Sequence, residues 1–199
     1  MFVTFEGLDG SGKSTQARLL AKALRDDGRD VVATREPGGT ALGEGIRDLL
    51  LGGTDVSAWA EAALFAAARA QLVEEVIAPA LARGADVVCD RYLDSSLAYQ
   101  GIARGLGLER VLELNLPAIG GVLPDRTFLL LVDPNEAARR LGGGAGDRIE
   151  REAEDFRRRV DAAYRELAAA FPERIVTLDG TRPPEEIARE VHEELRQPS

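Results

Sequence analysis

The residues with the clearest capacity for chemistry form a glycine-rich run near the amino terminus. Between Gly7 and Ser14 the run has the spacing Gly-x-x-x-x-Gly-Lys-Ser, which is the Walker A pattern. Glycines let a backbone wrap around phosphate oxygens, and unpaired N–H groups at a helix N-terminus attract the anion. Lys13 supplies a cation to the β- and γ-phosphates, and the Ser14 hydroxyl can ligate Mg²⁺. We therefore predict a nucleotide triphosphate site, formed by Gly7, Leu8, Asp9, Gly10, Ser11, Gly12, Lys13, Ser14 and Thr15.

The elements around this run are those that a phosphate loop needs. Residues 2–6 form an apolar run of strand-forming residues, and Ala17, Leu20 and Leu24 follow at helical spacing up to Gly28. Residues 30–34 predict the next strand. A strand, a helix and a strand within about 35 residues make a parallel βαβ unit, and this context argues against a chance glycine-rich turn.

Further along the chain, predicted strands alternate with predicted helices. We predict strands at residues 86–90, 127–132 and 174–178, and helices at 41–51, 57–83, 95–116 (with a break at 105–107), 149–171 and near the C-terminus. The apolar run at 128–132 does not alternate with polar residues, as expected of a sheet covered on both faces. The sequence therefore predicts one α/β domain over residues 1–199, with a five-stranded parallel sheet and helices on both faces.

Composition excludes several classes of protein. The formal net charge is −9 and the charged residues form no basic block, so we expect no nucleic-acid partner. No stretch approaches the roughly 18 apolar residues of a membrane span, so we expect no membrane association. The lone cysteine, Cys89, cannot form an internal disulfide, and we predict that it is buried at the end of a strand. A cytoplasmic location follows as the default.

The loop alone leaves open what accepts the phosphoryl group. A GTPase would carry a guanine-reading Asn-Lys-x-Asp run, which this sequence lacks, and a motor ATPase would need a longer chain. A kinase of small molecules needs a second anion site, for which Arg35 and Arg91 are candidates because each directly follows a predicted strand. Asp90, a carboxylate that ends an apolar strand, is a candidate to orient Mg²⁺ through water.

Several motifs beyond the loop are specific to one family of kinases. The sequence resembles the bacterial thymidylate kinases over nearly its whole length. The motifs that carry the resemblance are Phe5–Thr15, Thr34-Arg35-Glu36-Pro37-Gly38-Gly39-Thr40, Leu64–Arg69, Asp90-Arg91-Tyr92, Ser95-Ser96, Ala98-Tyr99-Gln100, Asp147-Arg148-Ile149-Glu150 and Leu178–Thr181.

The resemblance implies transfer of the γ-phosphate of ATP to dTMP, with Mg²⁺ as the metal. It implies that Phe65 stacks on thymine and that Arg69, four residues later on the same helix face, bonds a base carbonyl. Helical spacing alone would favour a core phenylalanine and a solvated arginine instead. Arg91 would clamp the dTMP phosphate, and Arg35 would help to hold it.

Other residues take their expected roles from the same resemblance. Asp9 would bond the 3′-hydroxyl of the acceptor or a metal-bound water, and Tyr99 would lie against the sugar. The pyrimidine edge would be read by Ser96 and Gln100, with Ser95 beside them. A solvated helix surface is the alternative for Tyr99 and Gln100. The family also implies a homodimer that packs through helices.

The resemblance also implies a mobile lid at about residues 140–152, around the glycine run 142–146. Family members generally place a catalytic arginine in the phosphate loop or in the lid. Gly10 excludes the first arrangement, and the glycine run itself holds no Arg or Lys. We therefore favour Arg148 as the catalytic cation, Arg140 as a contact of adenine or phosphate, and Glu150 as a metal ligand.

Two rival functions remain open at this point. One is a kinase of another nucleoside or nucleoside monophosphate. The other is a P-loop ATPase that switches a partner, although such a switch has no need of a second nucleotide pocket.

Overall fold

The computed structural model describes residues 1–52, 55–142 and 154–196. Five parallel strands form one sheet in the order β2-β3-β1-β4-β5, which confirms the predicted sheet. The strands are β1 (Phe2–Gly7), β2 (Val31–Arg35), β3 (Asp86–Asp90), β4 (Arg126–Leu131) and β5 (Ile175–Asp179). Each predicted strand boundary lies within one residue of the observed one.

The helices occupy the segments between the strands. They are α1 (Lys13–Asp26), α2 (Ala41–Leu51), α3 (Ala58–Leu72), α4 (Ala78–Ala82), α5 (Leu93–Ser96), α6 (Leu108–Ile119), α7 (Pro134–Arg140), α8 (Glu154–Ala170) and α9 (Pro184–Glu194). Two π-helical segments, Val73–Ile77 and Leu97–Ala103, continue α3 and α5. The start of the helix predicted at 149–171 lies outside the described residues, and so does most of the predicted lid.

Residues of β1 alternate between two buried layers, as the period of a strand requires. Val3 and Phe5 pack with residues of α1 and α9, while Phe2 packs in the opposite layer with residues of α8. The prediction of helices on both faces is confirmed. Glu6 lies on the same face of β1 as Phe2, so its carboxylate points toward α8, where it accepts a hydrogen bond from Tyr164.

Strand β1 is the point at which the connections of the sheet change direction. It pairs with β3 on one side and with β4 on the other, so the carboxyl ends of β1 and β3 lie side by side. The backbone N–H of Arg91 donates to the Phe5 carbonyl over 2.9 Å. Ligands bind at such a switch point in open α/β sheets.

Two predictions about single features can be compared with the fold directly. Cys89 is fully buried in β3, which confirms its predicted environment. In the part of the chain that the structure describes, none of the helices combines the length and the apolar character needed to cross a bilayer.

A buried ion pair ties α5 to β4 and to the segment before β5. Arg174 donates to both oxygens of Asp94, over 2.6 and 2.8 Å, and to the Thr127 hydroxyl over 2.8 Å. The Asp94 side chain is 1% exposed, so it depends on this guanidinium for compensation of its charge.

Arg174→Ala is therefore expected to lower the free energy of unfolding by about 3 kcal/mol, because it leaves Asp94 buried without its cation. Urea unfolding followed by circular dichroism measures this change. Arg165→Ala is the matched control: it removes an exposed ion pair with Asp161 and should cost no more than about 0.5 kcal/mol. Equal effects of the two substitutions would contradict the prediction.

Candidate active site

The glycine-rich loop connects β1 to α1, which begins at Lys13. Gly10 has a φ of +83°, and a Cβ atom at this position would lie 2.2 Å from the carbonyl oxygen of Ala137 in α7. Any larger residue would therefore collide with the backbone of α7. The loop has no room here for a side chain, and so none for the catalytic arginine whose absence the sequence had indicated.

Asp9 links the loop to the end of β3. Its Oδ1 accepts from Lys13 Nζ over 2.8 Å and from Arg91 Nη2 over 2.7 Å. Burial alone would raise the pKa of the Asp9 carboxyl, but Arg91 and Lys13 outweigh that effect and hold the pKa far below its usual value. Asp9 is thus a fixed anion between two cations.

Arg91 adopts a left-handed backbone conformation, with φ 69°, which is costly for a residue other than glycine. Its guanidinium also donates to Ser95 Oγ (2.9 Å), Tyr164 Oη (3.0 Å) and Tyr99 Oη (3.2 Å). Burial has the largest single effect and would lower the pKa of Arg91, but Asp9, Tyr99, Tyr164 and Glu6 together raise it well above its usual value. The arginine stays charged and is held by partners on several elements.

A buried carboxylate, Glu6, organises these partners. It accepts from the Tyr92 N–H (2.8 Å), from Ser95 Oγ (2.6 Å) and from Tyr164 Oη (2.8 Å). Burial and the nearby Asp94 raise the pKa of Glu6. Glu6 was not among the predicted site residues, although a carboxylate inside an apolar strand was a usable signal. Nothing in the sequence linked Tyr164 of α8 to this site.

A cavity of about 560 Å³ opens beside Asp9 and Arg91. It is lined by Asp9, Glu36, Pro37, Arg47, Leu51, Phe65, Arg91, Ser95, Ser96, Tyr99 and Gln100. Most of the residues predicted to bind the acceptor are therefore brought together. We call this the acceptor cavity.

Arg69 lies behind the wall of the acceptor cavity. Its guanidinium donates to Glu36 Oε2 over 2.6 and 2.9 Å, to Ser96 Oγ over 3.1 Å and to the Tyr92 carbonyl over 3.0 Å. Burial raises the pKa of the Glu36 carboxyl to about 7, although Arg69 acts in the opposite direction. In this structure Arg69 reaches the cavity through Ser96 and Glu36, both of which line it.

The structure does not bring Arg35 to the acceptor cavity. Its guanidinium pairs with Glu44 over 2.9 Å, on the side where it shares a cleft with Ser14 and Asp90. Arg47 of α2 lines the cavity instead, and it donates to the Pro37 carbonyl over 3.0 Å. Arg47 was not predicted, because nothing in its spacing distinguishes it from a solvated helix arginine.

Two of the three residues predicted to serve the metal lie together. The Ser14 hydroxyl donates to Asp90 Oδ2, and Asp90 Oδ1 is buried without a hydrogen-bond partner among the described residues. An oxygen in that state suits a hard cation or its bound water. Glu150 lies outside the described residues. Among the described residues, no group of three or more acidic, histidine or cysteine side chains could hold a metal ion.

A second pocket, of about 680 Å³, lies on the other side of the loop. It includes Ser11, Gly12 and Thr15 of the loop and the segment 180–184. Arg140 also lines it and donates to the Gly180 carbonyl over 2.9 Å. We call this the donor pocket. Arg148 lies outside the described residues.

The combination of phosphate loop, donor pocket and acceptor cavity agrees with the comparisons to known proteins. The family model described as thymidylate kinase matches residues 5–191. The chain belongs to the thymidylate kinase family. This result confirms the resemblance that the sequence motifs had indicated.

Individual relatives agree with this family over nearly the whole chain. The chain is 50% identical to the thymidylate kinase of Pelotomaculum thermopropionicum, over 91% of this chain and 86% of that protein. It is 49% identical to that of Synechococcus sp. strain JA-3-3Ab, over 96% and 93%. The crystal structure of thymidylate kinase from Ehrlichia chaffeensis superposes with a TM-score of 0.81 at 35% identity, covering 98% of both chains.

The close approach of Gly10 to α7 gives a test of the loop. Gly10→Ala should destabilise the protein by about 2 kcal/mol and weaken ATP binding, because the loop must move away from Ala137. Thermal unfolding and isothermal titration with ATP measure the two effects. Gly45→Ala is the control: Gly45 is helical and exposed, with open space around its Cβ position. This change should stabilise the protein by up to about 1 kcal/mol. Unchanged ATP affinity in Gly10→Ala would contradict the prediction.

Proposed function

We propose that this chain is a kinase that transfers the γ-phosphate of ATP to dTMP, giving dTDP and ADP. The observation that carries the proposal is the contact of Asp9 with both Lys13 and Arg91, which joins a phosphate loop to an adjacent acceptor cavity. A P-loop ATPase switch needs no second nucleotide pocket. The wall of the acceptor cavity includes an aromatic ring, Phe65, and an amide, Gln100. This combination favours a nucleotide as the acceptor.

In the proposed complex, Arg91 and Arg47 bind the acceptor phosphate from the cavity wall. Phe65 stacks on the thymine ring, Tyr99 packs against the sugar, and Ser96 and Gln100 bond the base edge. Ser95 holds Arg91, and Asp9 accepts from the 3′-hydroxyl. Arg69 and Arg35 contribute indirectly in the described conformation, Arg69 through Ser96 and Arg35 from the neighbouring cleft.

On the donor side, Gly7–Thr15 would cradle the triphosphate with backbone N–H groups, and Lys13 would exchange Asp9 for a phosphate oxygen. Mg²⁺ would be held by Ser14 and Asp90, together with Glu150, and would neutralise charge on the β- and γ-phosphates. Arg140 would contact adenine or phosphate from the donor pocket. We keep Arg148 as the cation that acts on the transferred group, from a lid at about 140–152.

We further propose a cytoplasmic homodimer of one-domain subunits that uses no nucleic-acid partner. Helix α3 packs against α2 and against α6, and the three helices present exposed apolar side chains at Leu49, Trp59 and Leu116. Such a set of exposed apolar residues suits a helix-to-helix interface.

The acceptor is identified by measuring ADP formation with ATP and Mg²⁺ while the acceptor is varied. The series consists of dTMP, dUMP, CMP, GMP and no acceptor. We expect the highest kcat/KM with dTMP and only slow background hydrolysis without an acceptor, because water lacks the binding contacts that orient the nucleotide. Preference for another monophosphate would support the rival kinase. Equal turnover without any acceptor would support the ATPase switch.

The source of the lid cation is tested by two arginine substitutions. Arg148→Ala should lower kcat about 100-fold, because one cation is lost from the developing charge. Arg139→Ala is the control: Arg139 pairs with Glu136 and is 78% exposed, so kcat should fall less than about threefold. Steady-state rates at saturating ATP and dTMP measure both. Equal losses would count against Arg148.

A further inference from the structure

A third buried carboxylate of this region, that of Glu61, lies behind the part of the acceptor cavity that Phe65 and Gln100 line. Glu61 lies in α3, one helical turn before Phe65, and is 1% exposed. Its carboxylate accepts from Arg104, with Nε–Oε1 at 2.6 Å and Nη2–Oε2 at 3.1 Å. Arg104 in turn packs over the Phe156 ring at 4.6 Å. The two hydrogen bonds from one guanidinium thus hold the carboxylate in one orientation.

The same carboxylate determines which way the amide of Gln100 faces. Gln100 Nε2 donates to Glu61 Oε1 over 2.9 Å. A carboxylate that is paired with arginine only accepts hydrogen bonds, so the amide must turn its NH₂ group toward Glu61. Its Oε1 then remains for a ligand, and Gln100 lines the acceptor cavity. Gln100 could present either its NH₂ group or its oxygen to a ligand, and the contact with Glu61 leaves the oxygen.

We propose that Glu61 is a positioning residue that makes the acceptor cavity selective for bases with an N3–H donor, by fixing the Gln100 amide with its oxygen toward the base. This inference rests on the proposed function, since it concerns the choice among pyrimidine acceptors. It adds a residue that touches no substrate atom and that acts through Gln100.

The donor and acceptor pattern of the bases explains the selectivity. Thymine and uracil carry a hydrogen on N3, which can donate to Gln100 Oε1, whereas N3 of cytosine carries a lone pair. Two facing acceptors repel, and each is left unsatisfied in a buried site. Ser96 Oγ accepts from Arg69, so its own hydrogen is free to donate to a base carbonyl. That arrangement suits the carbonyl of thymine and disfavours the amino group of cytosine.

Glu61→Gln tests the proposal. The new amide can donate to Gln100 Oε1, which frees Gln100 to present its NH₂ group to the base. We expect the ratio of kcat/KM for dTMP to that for dCMP to fall at least tenfold. The change should appear mainly in the two KM values, and kcat with dTMP should change less than threefold. Glu74→Gln is the matched control, because Glu74 is an exposed glutamate in the helical segment that follows α3. Its ratio should equal that of the wild type.

A double-mutant cycle with Gln100→Leu shows whether Glu61 acts through Gln100. In the Gln100→Leu background, Glu61→Gln should no longer change the ratio. If Glu61→Gln does not fold, Glu61→Asp replaces it in the cycle. It keeps the charge beside Arg104 but draws the carboxylate one methylene away from Gln100, so the ratio should again fall.

An unchanged ratio in a folded Glu61 variant, or independent effects in the cycle, would overturn the inference. Neither result would affect the proposed function if the wild type still prefers dTMP. A wild type with no preference for dTMP would instead refute the proposed function itself. The two failures are therefore distinguished by the wild-type measurement alone.

Discussion

The ion pair between Asp9 and Arg91 is the interaction on which the arrangement of the site depends. One partner belongs to the phosphate loop and the other to the end of β3, so the pair sets the distance between donor and acceptor sites. Arg91 has a left-handed backbone, a conformation that costs about 1–3 kcal/mol. The hydrogen bonds that Ser95 and Tyr164 accept from it, themselves fixed by the buried Glu6, offset that cost. Strand β1 thus supplies both the loop and the carboxylate that positions its partner.

The buried carboxylates around the acceptor cavity each orient a neighbouring polar side chain. Glu6 fixes the groups that hold Arg91, Glu36 pairs with Arg69, and Glu61 pairs with Arg104 and orients Gln100. Each removes rotational freedom from a group that lines the acceptor cavity or lies behind its wall. Removing water from such charges is costly unless they are paired, and the pairing is what makes the wall rigid before the substrate arrives. A protein of net charge −9 can therefore present a defined set of cations to two anionic nucleotides.

The local patterns in the sequence predicted the sheet and the phosphate loop because both depend on neighbours in the chain. The Walker A spacing and the apolar runs of the strands are both local patterns. In the structure, the loop and the strands lie at the predicted residues. Contacts between distant residues were not predictable in the same way. Arg35 was the predicted cation because it directly follows a strand, yet it pairs with Glu44 outside the acceptor cavity, and Arg47 lines the cavity instead. Tyr164 reaches Glu6 across 158 positions, and no periodicity records such a contact.

The close packing of Gly10 against α7 fixes the position of this helix relative to the phosphate loop. The carbonyl of Ala137 occupies the space that a side chain at position 10 would need, so the loop is completed by backbone alone. The same helix ends at Arg140, whose guanidinium lies in the donor pocket and bonds the Gly180 carbonyl. Because α7 packs against the loop, the end of this helix lies beside loop residues Ser11, Gly12 and Thr15. The contact that leaves no room for a side chain at position 10 therefore also keeps an arginine, Arg140, in the donor pocket.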